Sequence, residues 1–319
     1  MSKLAVAPAE PSLEHLGNPL LRYFLATRPA FLSITLVGVL LGFAIAWHAG
    51  VAFDAPAALV TLLLALLAHA GVNVLNDYYD HLNGSDAANT DRLFPFTGGS
   101  RFIQNGVLTP RQTLAFGLAL FLAVILGGLW LIGRSGFGLF WIGLAGLSIG
   151  WAYSAPPLKL NSRGLGEVCV AAGFLLIVVG ADFVLRGAFA VAPWLLGLPY
   201  ALMVTNILYI NQFPDRSADL AAGKRHWVAR LAPAQAAHGY GLILLLAMGW
   251  LFGLVAGGRI PLWSLIALLA AVPAFVAAKQ LRRFAAQPAQ LAPAIRATIA
   301  AAHLLAVLLA LSLVLDKFL

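Results

Sequence analysis

The chain has 319 residues, of which 61% are hydrophobic and 10% are charged. Because soluble domains carry about 25% charged residues, this composition excludes an ordinary soluble protein and indicates a polytopic protein of the lipid bilayer. The net charge of +8 is explained by Lys and Arg held on the cytoplasmic side of a membrane, so we expect no nucleic-acid partner.

The chain starts with a tail, residues 1–28, in which no compact apolar run precedes a small-residue cleavage site. This pattern differs from a signal peptide, and we predict a cytoplasmic tail with an interfacial segment. Nine apolar stretches follow, each close to the roughly 20 residues that a spanning helix needs. They predict one all-α transmembrane domain over 1–319, with helices at 29–49, 56–79, 112–133, 137–153, 165–185, 191–211, 238–257, 261–280 and 295–315.

Positive charge predicts the orientation of these helices. If the N-terminus is cytoplasmic, sixteen of the twenty Lys and Arg residues fall on the cytoplasmic side, as is typical of membrane proteins. We therefore predict a multi-pass protein of the inner (cytoplasmic) membrane. Its two long loops, 80–111 and 212–237, would both be cytoplasmic, and loops of such length usually have a function.

The first polar cluster, "NVLNDYYDHLNGSDAANTDR" (73–92), places four of the twelve acidic residues at the end of an apolar stretch. Carboxylates at a helix C-terminus oppose the helix dipole, so a plain solvated helix end is the weaker interpretation and a cation is expected there. Asp86 and Asp91 follow in the loop, without an assigned role. On a helix, four polar side chains would share one face: Asn73, Asn76, Asp77 and Asp80.

The second cluster, "NILYINQFPDRSADLAAGKR" (206–225), places Asn211, Asp215 and Asp219 at intervals of four, although Pro214 could kink the helix. Two carboxylate clusters at cytoplasmic helix ends predict two Mg²⁺ ions, which bind carboxylate and phosphate oxygens. Zinc would require Cys or His ligands, and the chain has one cysteine and no close pair of His near these aspartates. The neighbouring cations indicate a diphosphate, which in a membrane belongs to a lipid.

Three segments carry a resemblance to a known family. "NDYYDHLNGSD" (76–86) resembles the first aspartate motif of the UbiA-type intramembrane prenyltransferases, and "DRSADLAAGKR" (215–225) resembles the second. "YSAPPLKLNSRGLGE" (153–167) is similar to the stretch between them. The Tyr-Tyr pair and the Gly-x-Asp of the first motif are most similar to the 1,4-dihydroxy-2-naphthoate prenyltransferase branch of menaquinone synthesis.

The resemblance implies about nine helices around a central cavity that opens to the cytoplasm. It also implies Mg²⁺-dependent transfer of a polyprenyl group from polyprenyl diphosphate to a small aromatic acceptor, with catalytic Asp77, Asp80, Asp215 and Asp219. One metal ion would be held by Asn73, Asn76, Asp77 and Asp80, and the other by Asp215 and Asp219, which Asn211 could support. Substrate-binding side chains would be Asn73, Arg92, Arg101, Tyr153, Lys159, Lys224 and Arg225.

The acceptor remains open at this point, because two segments depart from the family pattern. Phe213-Pro214 precedes the second motif where related enzymes commonly carry a polar or basic residue, and the loop 94–106 also differs. The alternatives are another aromatic acceptor, such as 4-hydroxybenzoate, and a cation-coupled secondary transporter. Transporter sites lie near the bilayer midplane, whereas these clusters lie at helix ends.

Three further residues have competing interpretations. Asp182 in the fifth stretch is a functional candidate by position, but its spacing of four from Arg186 favours an ion pair. Glu167 begins the same stretch, as a partner of the helix dipole or as part of the active-site wall. His69 lies about one turn before Asn73 on the same face, as an acceptor-binding group or as a packed polar residue.

Overall fold

The computed structural model describes residues 9–318, so the first eight residues of the predicted tail lie outside the described part. Residues 9–318 form helices and connecting loops without a β-strand. The α-helices are α1 Pro19–Ala26, α2 Pro29–His48, α3 Ala55–Asn83, α4 Ser85–Ala88, α5 Pro110–Ser135, α6 Gly138–Ser154, α7 Gly166–Arg186, α8 Ala192–Ala221, α9 Trp227–Arg230, α10 Pro233–Ala256, α11 Ala271–Phe284 and α12 Ala292–Leu315. Short 3₁₀ segments occur at Leu160–Arg163, Leu262–Ala270 and Pro288–Gln290.

Eight helical segments of residues 9–318 are long and apolar enough to cross a bilayer, and this confirms the prediction of an all-α polytopic membrane protein. They are α2, α3, α5, α7, α8, α10, Leu262–Phe284 and α12. The fourth predicted span corresponds to α6, which is apolar but only 17 residues long. The seventh predicted span corresponds to α10, which begins at Pro233, earlier than predicted. The eighth predicted span starts as the 3₁₀ segment Leu262–Ala270 and continues as α11.

The two helices that carry the aspartate motifs continue beyond the predicted limits. Helices α3 and α8 have 29 and 30 residues, which corresponds to about 45 Å against a hydrocarbon core of about 30 Å. The predicted loop starts at 80 and 212 are therefore wrong. Helix α3 ends only where Gly84 adopts a φ of 81°. Pro214 lies inside α8 without ending it, because neighbouring helices can support a proline-containing helix.

Close approach of small residues holds the first half of the chain together. A Cβ on Gly42 of α2 would collide with the Ala181 side chain of α7 at 2.6 Å, and one on Gly117 of α5 would lie 2.7 Å from Leu75 of α3. Helices in lipid associate through such packing contacts rather than through the hydrophobic effect. Glycine at these positions therefore permits the close spacing of α2, α3, α5 and α7.

The second half of the chain packs more densely and supports α8. Leu305 and Leu309 of α12 and Leu251 of α10 are completely buried in one large cluster that also includes residues of α2 and α8. One side of α8 is thus fixed against α10 and α12. Its other side borders a cavity shared with α2, α3, α5, α6 and α7.

Candidate functional site

The cavity has a volume of about 680 Å³ and is polar at one end and apolar along the rest. Successive turns of α3 form one of its walls, because side chains three or four positions apart share a helix face. His69 lies on this wall, followed by the polar side chains Asn73, Asn76 and Asp80. Asp215 and Asp219 of α8 line the same cavity. The fold therefore brings together two motifs that are distant in sequence.

Asp77 is buried beside the polar end but is not among the lining residues. Its carboxylate forms an ion pair with Arg28, and the backbone N–H of Ser100 lies 3.3 Å from each of its oxygens. Arg28 itself lines the cavity immediately before α2. The Asn73 side chain donates to the Thr27 carbonyl at 3.0 Å. These contacts fix the start of α2 to α3 and place a guanidinium at the cavity.

Lys224 links the two motifs directly. Its ammonium lies 2.9 Å from a carboxylate oxygen of Asp80 and 2.9 Å from one of Asp219. Nε2 of His226 lies 3.1 Å from the other oxygen of Asp219. The turn at Gly223, where φ is 77°, carries the chain back from α8 toward the aspartates. Burial opposes the charged form of Lys224, but the carboxylates of Asp80 and Asp219 outweigh it and raise the pKa of the ammonium.

Asp215 is held by the loop that follows the first motif. The side-chain amide of Asn89 donates to Oδ1 of Asp215 at 2.5 Å, and the backbone N–H of Gly98 lies 3.4 Å from Oδ2. One turn earlier on α8, Nδ2 of Asn211 donates to the carbonyl of Phe96 at 3.3 Å. The loop 89–100 is thus positioned by α8, since Asn211 and Asp215 both bind it.

Asp86 belongs to the site, although the sequence assigned it no role. It is buried and lines the cavity close to Gly99, where φ is 74° and an added Cβ would collide with the Asp86 carboxylate. Only glycine fits that conformation at that distance. Burial, together with the carboxylates of Asp80 and Asp77, raises the pKa of Asp86 well above its usual value.

Arg92 and Arg101, predicted to bind the diphosphate, instead contact the chain segment before α1. Arg92 lies 2.7 Å from Oε1 of Glu10, and Arg101 lies 3.7 Å from Oε2. Nδ2 of Asn105 donates to the same carboxylate at 3.2 Å. Neither arginine is among the lining residues of the cavity. Glu10 forms ion pairs with both and ties the N-terminal segment to the loop.

The remaining predicted substrate-binding side chains separate into two groups. Tyr153 and Lys224 line the cavity, as does Asn73. Lys159 and Arg225 are exposed and lie outside the lining. Adjacent positions in a loop point in different directions, so the proximity of a cation in sequence to a motif does not decide whether it reaches the cavity.

Three residues that contribute to the site were not predicted from the sequence. Arg28 directly precedes a spanning helix, but cations at the ends of spanning helices are common without any catalytic function. His226 follows Asp219 by seven residues across a turn, and no helical period marks that spacing. Asn89 is one of several polar residues in a loop, where hydrophobic periodicity gives no signal.

The contacts of Asp182 decide between its two interpretations, and those of Asp91 show what it binds. Asp182 is fully buried and binds Arg186 at 2.6 Å, which confirms the predicted ion pair. Asp91 is exposed and accepts a hydrogen bond from Ser217 at 3.0 Å. Asp91 thus contributes another link between the loop and α8.

Glu167 and His69 have packing partners as well. Glu167 lies in the first turn of α7 and accepts from Gln212 of α8 at 3.0 Å. His69 lies 2.7 Å from the Thr35 hydroxyl and packs edge-on against Phe174, and its ring lines the cavity. Glu167 therefore connects two helices outside the lining, whereas His69 is both a packed polar residue and part of the cavity wall.

The donors at the polar end fit a hard divalent cation. Four aspartates line the cavity, and Asp77 adds a fifth carboxylate directly behind, against the two cations Arg28 and Lys224. Among the residues that the structure describes, the buried amide oxygens of Asn89 and Asn211 have no hydrogen-bond partner. Oxygen donors with excess negative charge are what Mg²⁺ binds. Within residues 9–318, no three Asp, Glu, His or Cys side chains already form a compact metal cluster, and Arg28 and Lys224 lie among the carboxylates.

Comparisons with known proteins agree with this arrangement. The model of the UbiA prenyltransferase family matches residues 35–300. A 1,4-dihydroxy-2-naphthoate octaprenyltransferase of Bacillus subtilis (strain 168) is 28% identical over 247 residues, 76% of this chain and 76% of that protein. The Escherichia coli (strain K12) protein of the same name is 31% identical over 257 residues, 76% of this chain and 79% of that protein.

The fold has solved counterparts. The structure of a UbiA homolog from Archaeoglobus fulgidus bound to DMAPP and Mg²⁺ has a TM-score of 0.57 and 15% sequence identity, and the match covers 92% of this chain and 99% of that chain. At this identity the likeness concerns the fold.

An all-helical membrane fold with two convergent aspartate motifs defines an intramembrane prenyltransferase. The chain belongs to the UbiA prenyltransferase family, whose model matches most of its length. The prediction of an enzyme of the prenyltransferase class in this family is therefore confirmed.

Proposed function

We propose that this chain catalyses Mg²⁺-dependent transfer of a polyprenyl group from polyprenyl diphosphate to 1,4-dihydroxy-2-naphthoate. The observation that carries the proposal is the convergence of both aspartate motifs at the polar end of a mainly apolar cavity. The B. subtilis and E. coli relatives named as 1,4-dihydroxy-2-naphthoate octaprenyltransferases support the acceptor. Prenyl diphosphate and Mg²⁺ are supported by the A. fulgidus homolog that was bound to DMAPP and Mg²⁺.

The protein groups at the polar end are suited to hold a diphosphate and two Mg²⁺ ions. When bound, Mg²⁺ neutralises charge that develops on the departing diphosphate. The first ion would be held by Asn73, Asn76, Asp77 and Asp80, and the second by Asp215 and Asp219. Arg28 and Lys224 lie among these carboxylates, where their positive charge also stabilises the leaving anion.

The reaction proposed for the site is an alkylation of the ring. The bond between prenyl C1 and the diphosphate oxygen breaks, and its electron pair stays on the diphosphate. A ring carbon of the acceptor then supplies the electron pair for the new carbon–carbon bond. For the naphthoate, that carbon loses its carboxyl group as CO₂, and the electron pair of the broken bond restores the aromatic ring. The apolar cavity walls exclude water, which would otherwise quench the allylic cation.

The apolar part of the cavity is suited to the prenyl chain. Its walls include Ile125 and Leu129 of α5 and Leu144 of α6, each about half exposed at 46%, 57% and 47%. Side chains that both line the cavity and remain exposed indicate an opening between α5 and α6 on the lateral surface of the helices. A polyprenyl chain dissolved in the bilayer could enter there without crossing water.

The aromatic acceptor is proposed to bind beside the loop 94–102. A second cavity of about 370 Å³ adjoins the first, and the two share Arg28, Phe31 and Gly99. Phe94 and Phe102 add further aromatic surface to its walls. Aromatic walls favour a stacked or edge-on aromatic ring, and Arg28 offers a cation to an acidic acceptor.

The proposed membrane placement follows from the distribution of charge. We place the chain in the inner (cytoplasmic) membrane with the N-terminus, the loop 84–109 and the loop 222–232 on the cytoplasmic side. The excess of Lys and Arg in these segments supports this orientation. A water-soluble acceptor would then reach the polar end of the cavity from the cytoplasm.

The test is an assay of the purified chain with geranylgeranyl diphosphate, Mg²⁺ and a panel of aromatic acceptors, with products identified by mass. We expect transfer to 1,4-dihydroxy-2-naphthoate, loss of transfer with EDTA, and loss of diphosphate release in Asp77→Ala and Asp215→Ala. Asp54→Ala is the matched control, because Asp54 caps the opposite end of α3 and its loss should leave transfer intact.

Two outcomes would contradict the proposal. Undiminished activity of both the Asp77 and the Asp215 variants would remove the metal-site assignment. Transfer to 4-hydroxybenzoate and not to the naphthoate would retain the chemistry but replace the acceptor.

A further inference from the structure

Asn89 lies where the loop of the first motif meets the helix of the second. It directly follows α4 and is 1% exposed. Its Nδ2 donates to Oδ1 of Asp215 at 2.5 Å, and its backbone carbonyl accepts from Arg92 at 2.6 Å. The amide group therefore has one favourable orientation, because the opposite flip would place its oxygen against a carboxylate oxygen.

The other polar atom of this side chain, Oδ1, is buried and has no hydrogen-bond partner in the described part of the chain. A buried acceptor without a partner costs about 1–3 kcal/mol, so such an atom in a native protein requires an explanation. Asn89 lines the polar end of the main cavity. The unpaired oxygen thus belongs to a residue of the cavity wall at its polar end.

Asn211 of α8 also has an engaged amide N–H group and an unpaired amide oxygen. It precedes Asp215 by one helical turn, and its Nδ2 is engaged by the Phe96 carbonyl at 3.3 Å. Its Oδ1 is also buried without a partner in the segments that the structure describes, and the residue lines the same cavity. Two unpaired amide oxygens therefore accompany the carboxylate of Asp215.

The two unpaired amide oxygens and the Asp215 carboxylate are all hydrogen-bond acceptors, and the N–H groups of both amides are engaged within the protein. A hydroxyl of a substrate could satisfy one amide oxygen, but a hard divalent cation can bind amide oxygens and a carboxylate at once. The Asn89 side-chain amide is held by Asp215, and Arg92 holds the backbone carbonyl of the same residue. Such outer contacts orient metal ligands.

We propose that Oδ1 of Asn89 is a ligand of the divalent cation held at Asp215, with the amide oxygen of Asn211 as a companion ligand. This inference rests on the proposed function, which supplies the ion. Asn89 then has two roles, since its N–H group orients Asp215 and its oxygen binds the ion. Because Asn89 comes from the loop that follows the first motif and Asp215 from the second motif, this ion also joins these two segments.

The test measures the binding of Mn²⁺, which replaces Mg²⁺, to the purified chain in detergent without substrate. Free Mn²⁺ is quantified by its electron paramagnetic resonance signal. Asn89→Ala removes both the donor and the oxygen, and we expect one Mn²⁺ site to weaken by about 10-fold or more. Asn89→Asp keeps an oxygen at that position while it removes the N–H donor. We expect Asn89→Asp to bind Mn²⁺ at least as tightly as the unmodified chain.

Asn83→Ala is the matched control. Asn83 also donates to a motif aspartate, Asp80, at 3.1 Å, but its Oδ1 already accepts from the backbone of Ser85 at 2.9 Å. Its substitution should weaken Mn²⁺ binding less than Asn89→Ala does. Circular dichroism and thermal unfolding in EDTA establish that each variant is folded.

Three results would overturn the inference: unchanged binding by Asn89→Ala, binding by Asn89→Asp as weak as by Asn89→Ala, or an equal loss in Asn83→Ala. Asp215→Ala separates this inference from the proposed function. If Asp215→Ala binds Mn²⁺ like the unmodified chain, the second metal site itself fails. If it weakens binding while Asn89→Ala does not, only the role of Asn89 fails.

Discussion

At the scale of single residues, the main question is how so many carboxylates are tolerated in a buried place. Lys224 supplies part of the answer, because its ammonium lies 2.9 Å from both Asp80 and Asp219 and is 7% exposed. Removal of one partner from a buried ionic network leaves uncompensated charge. The two motifs are therefore held together by a side chain of the protein even without an added cation.

Lys224→Met should destabilise the chain by about 3–5 kcal/mol in EDTA, because Asp80 and Asp219 lose their shared counterion. Mg²⁺ should recover part of this loss, since it can replace the missing positive charge. The measurement is thermal unfolding in detergent with and without Mg²⁺. Arg225→Met, at the exposed neighbouring position, is the control, and an equal loss in both variants would argue against the bridge.

The sequence identified the aspartates of this site but only some of their partners. Asn73, Asn76 and Asp80 were found because a period of 3.6 places them on one face of α3. Arg28, Asn89 and His226 were missed because their positions depend on where separate segments meet. Arg92 and Arg101 were assigned to the diphosphate from their sequence position, whereas Glu10 binds them in the structure.

At the scale of secondary-structure elements, the N-terminal segment before α1 acts as a strap across the loop 84–109. We define the strap as residues 9–17. Its Glu10 accepts from Arg92 at 2.7 Å and from Asn105 at 3.2 Å. The same loop contacts Asp77 through Ser100 and Asp215 through Asn89 and Gly98. The strap therefore stabilises the loop that completes the site.

Acidification should release this strap. Partial burial opposes ionisation of Glu10, but hydrogen bonds from Arg92 and Asn105 outweigh it and lower the pKa of the carboxyl. A carboxyl whose pKa is lower in the folded chain stabilises the fold at pH values above its pKa in the unfolded chain, which is about 4.3. This contribution is lost as the pH falls through the pKa of the folded chain. A spin label on Leu13→Cys, in a Cys169→Ala background, should become mobile over that range.

Two substitutions check the origin of this effect. Glu10→Gln should make the label mobile already at neutral pH and should abolish the change on acidification. Glu14→Gln alters an exposed glutamate of the same strap and should leave the transition unchanged. If the transition persists in Glu10→Gln, another group holds the strap.

At the scale of the whole molecule, the two halves of the chain have different tasks. The helices α10, α11 and α12 form a dense core with α2 and α8 that includes Leu305 and Leu309, both fully buried. The helices α3, α5, α6 and α7 surround the cavity with α2 and α8. Helix α8 belongs to both parts, so the second motif is carried by a helix that packing holds in place.

The orientation of the molecule can be tested by labelling of single cysteines. In a background without Cys169, Arg225→Cys should react with a membrane-impermeant maleimide in inside-out vesicles and not in right-side-out vesicles, because the proposed orientation, which rests on the excess of positive charge, makes that loop cytoplasmic. Phe189→Cys, between α7 and α8, should show the opposite pattern. Reversed labelling at both positions would invert the proposed topology.

The sequence by itself determined the membrane class, the approximate positions of the helices and the pairing of two aspartate motifs. These properties depend on local composition and on the helical period, which are present in any short stretch of chain. It did not determine that α3 and α8 continue to Asn83 and Ala221, because the ends of long helices depend on the neighbours that pack against them. Only the tertiary structure placed Lys224 between the motifs, Glu10 on the arginines and Asn89 on Asp215, since contacts between distant segments depend on how the helices pack.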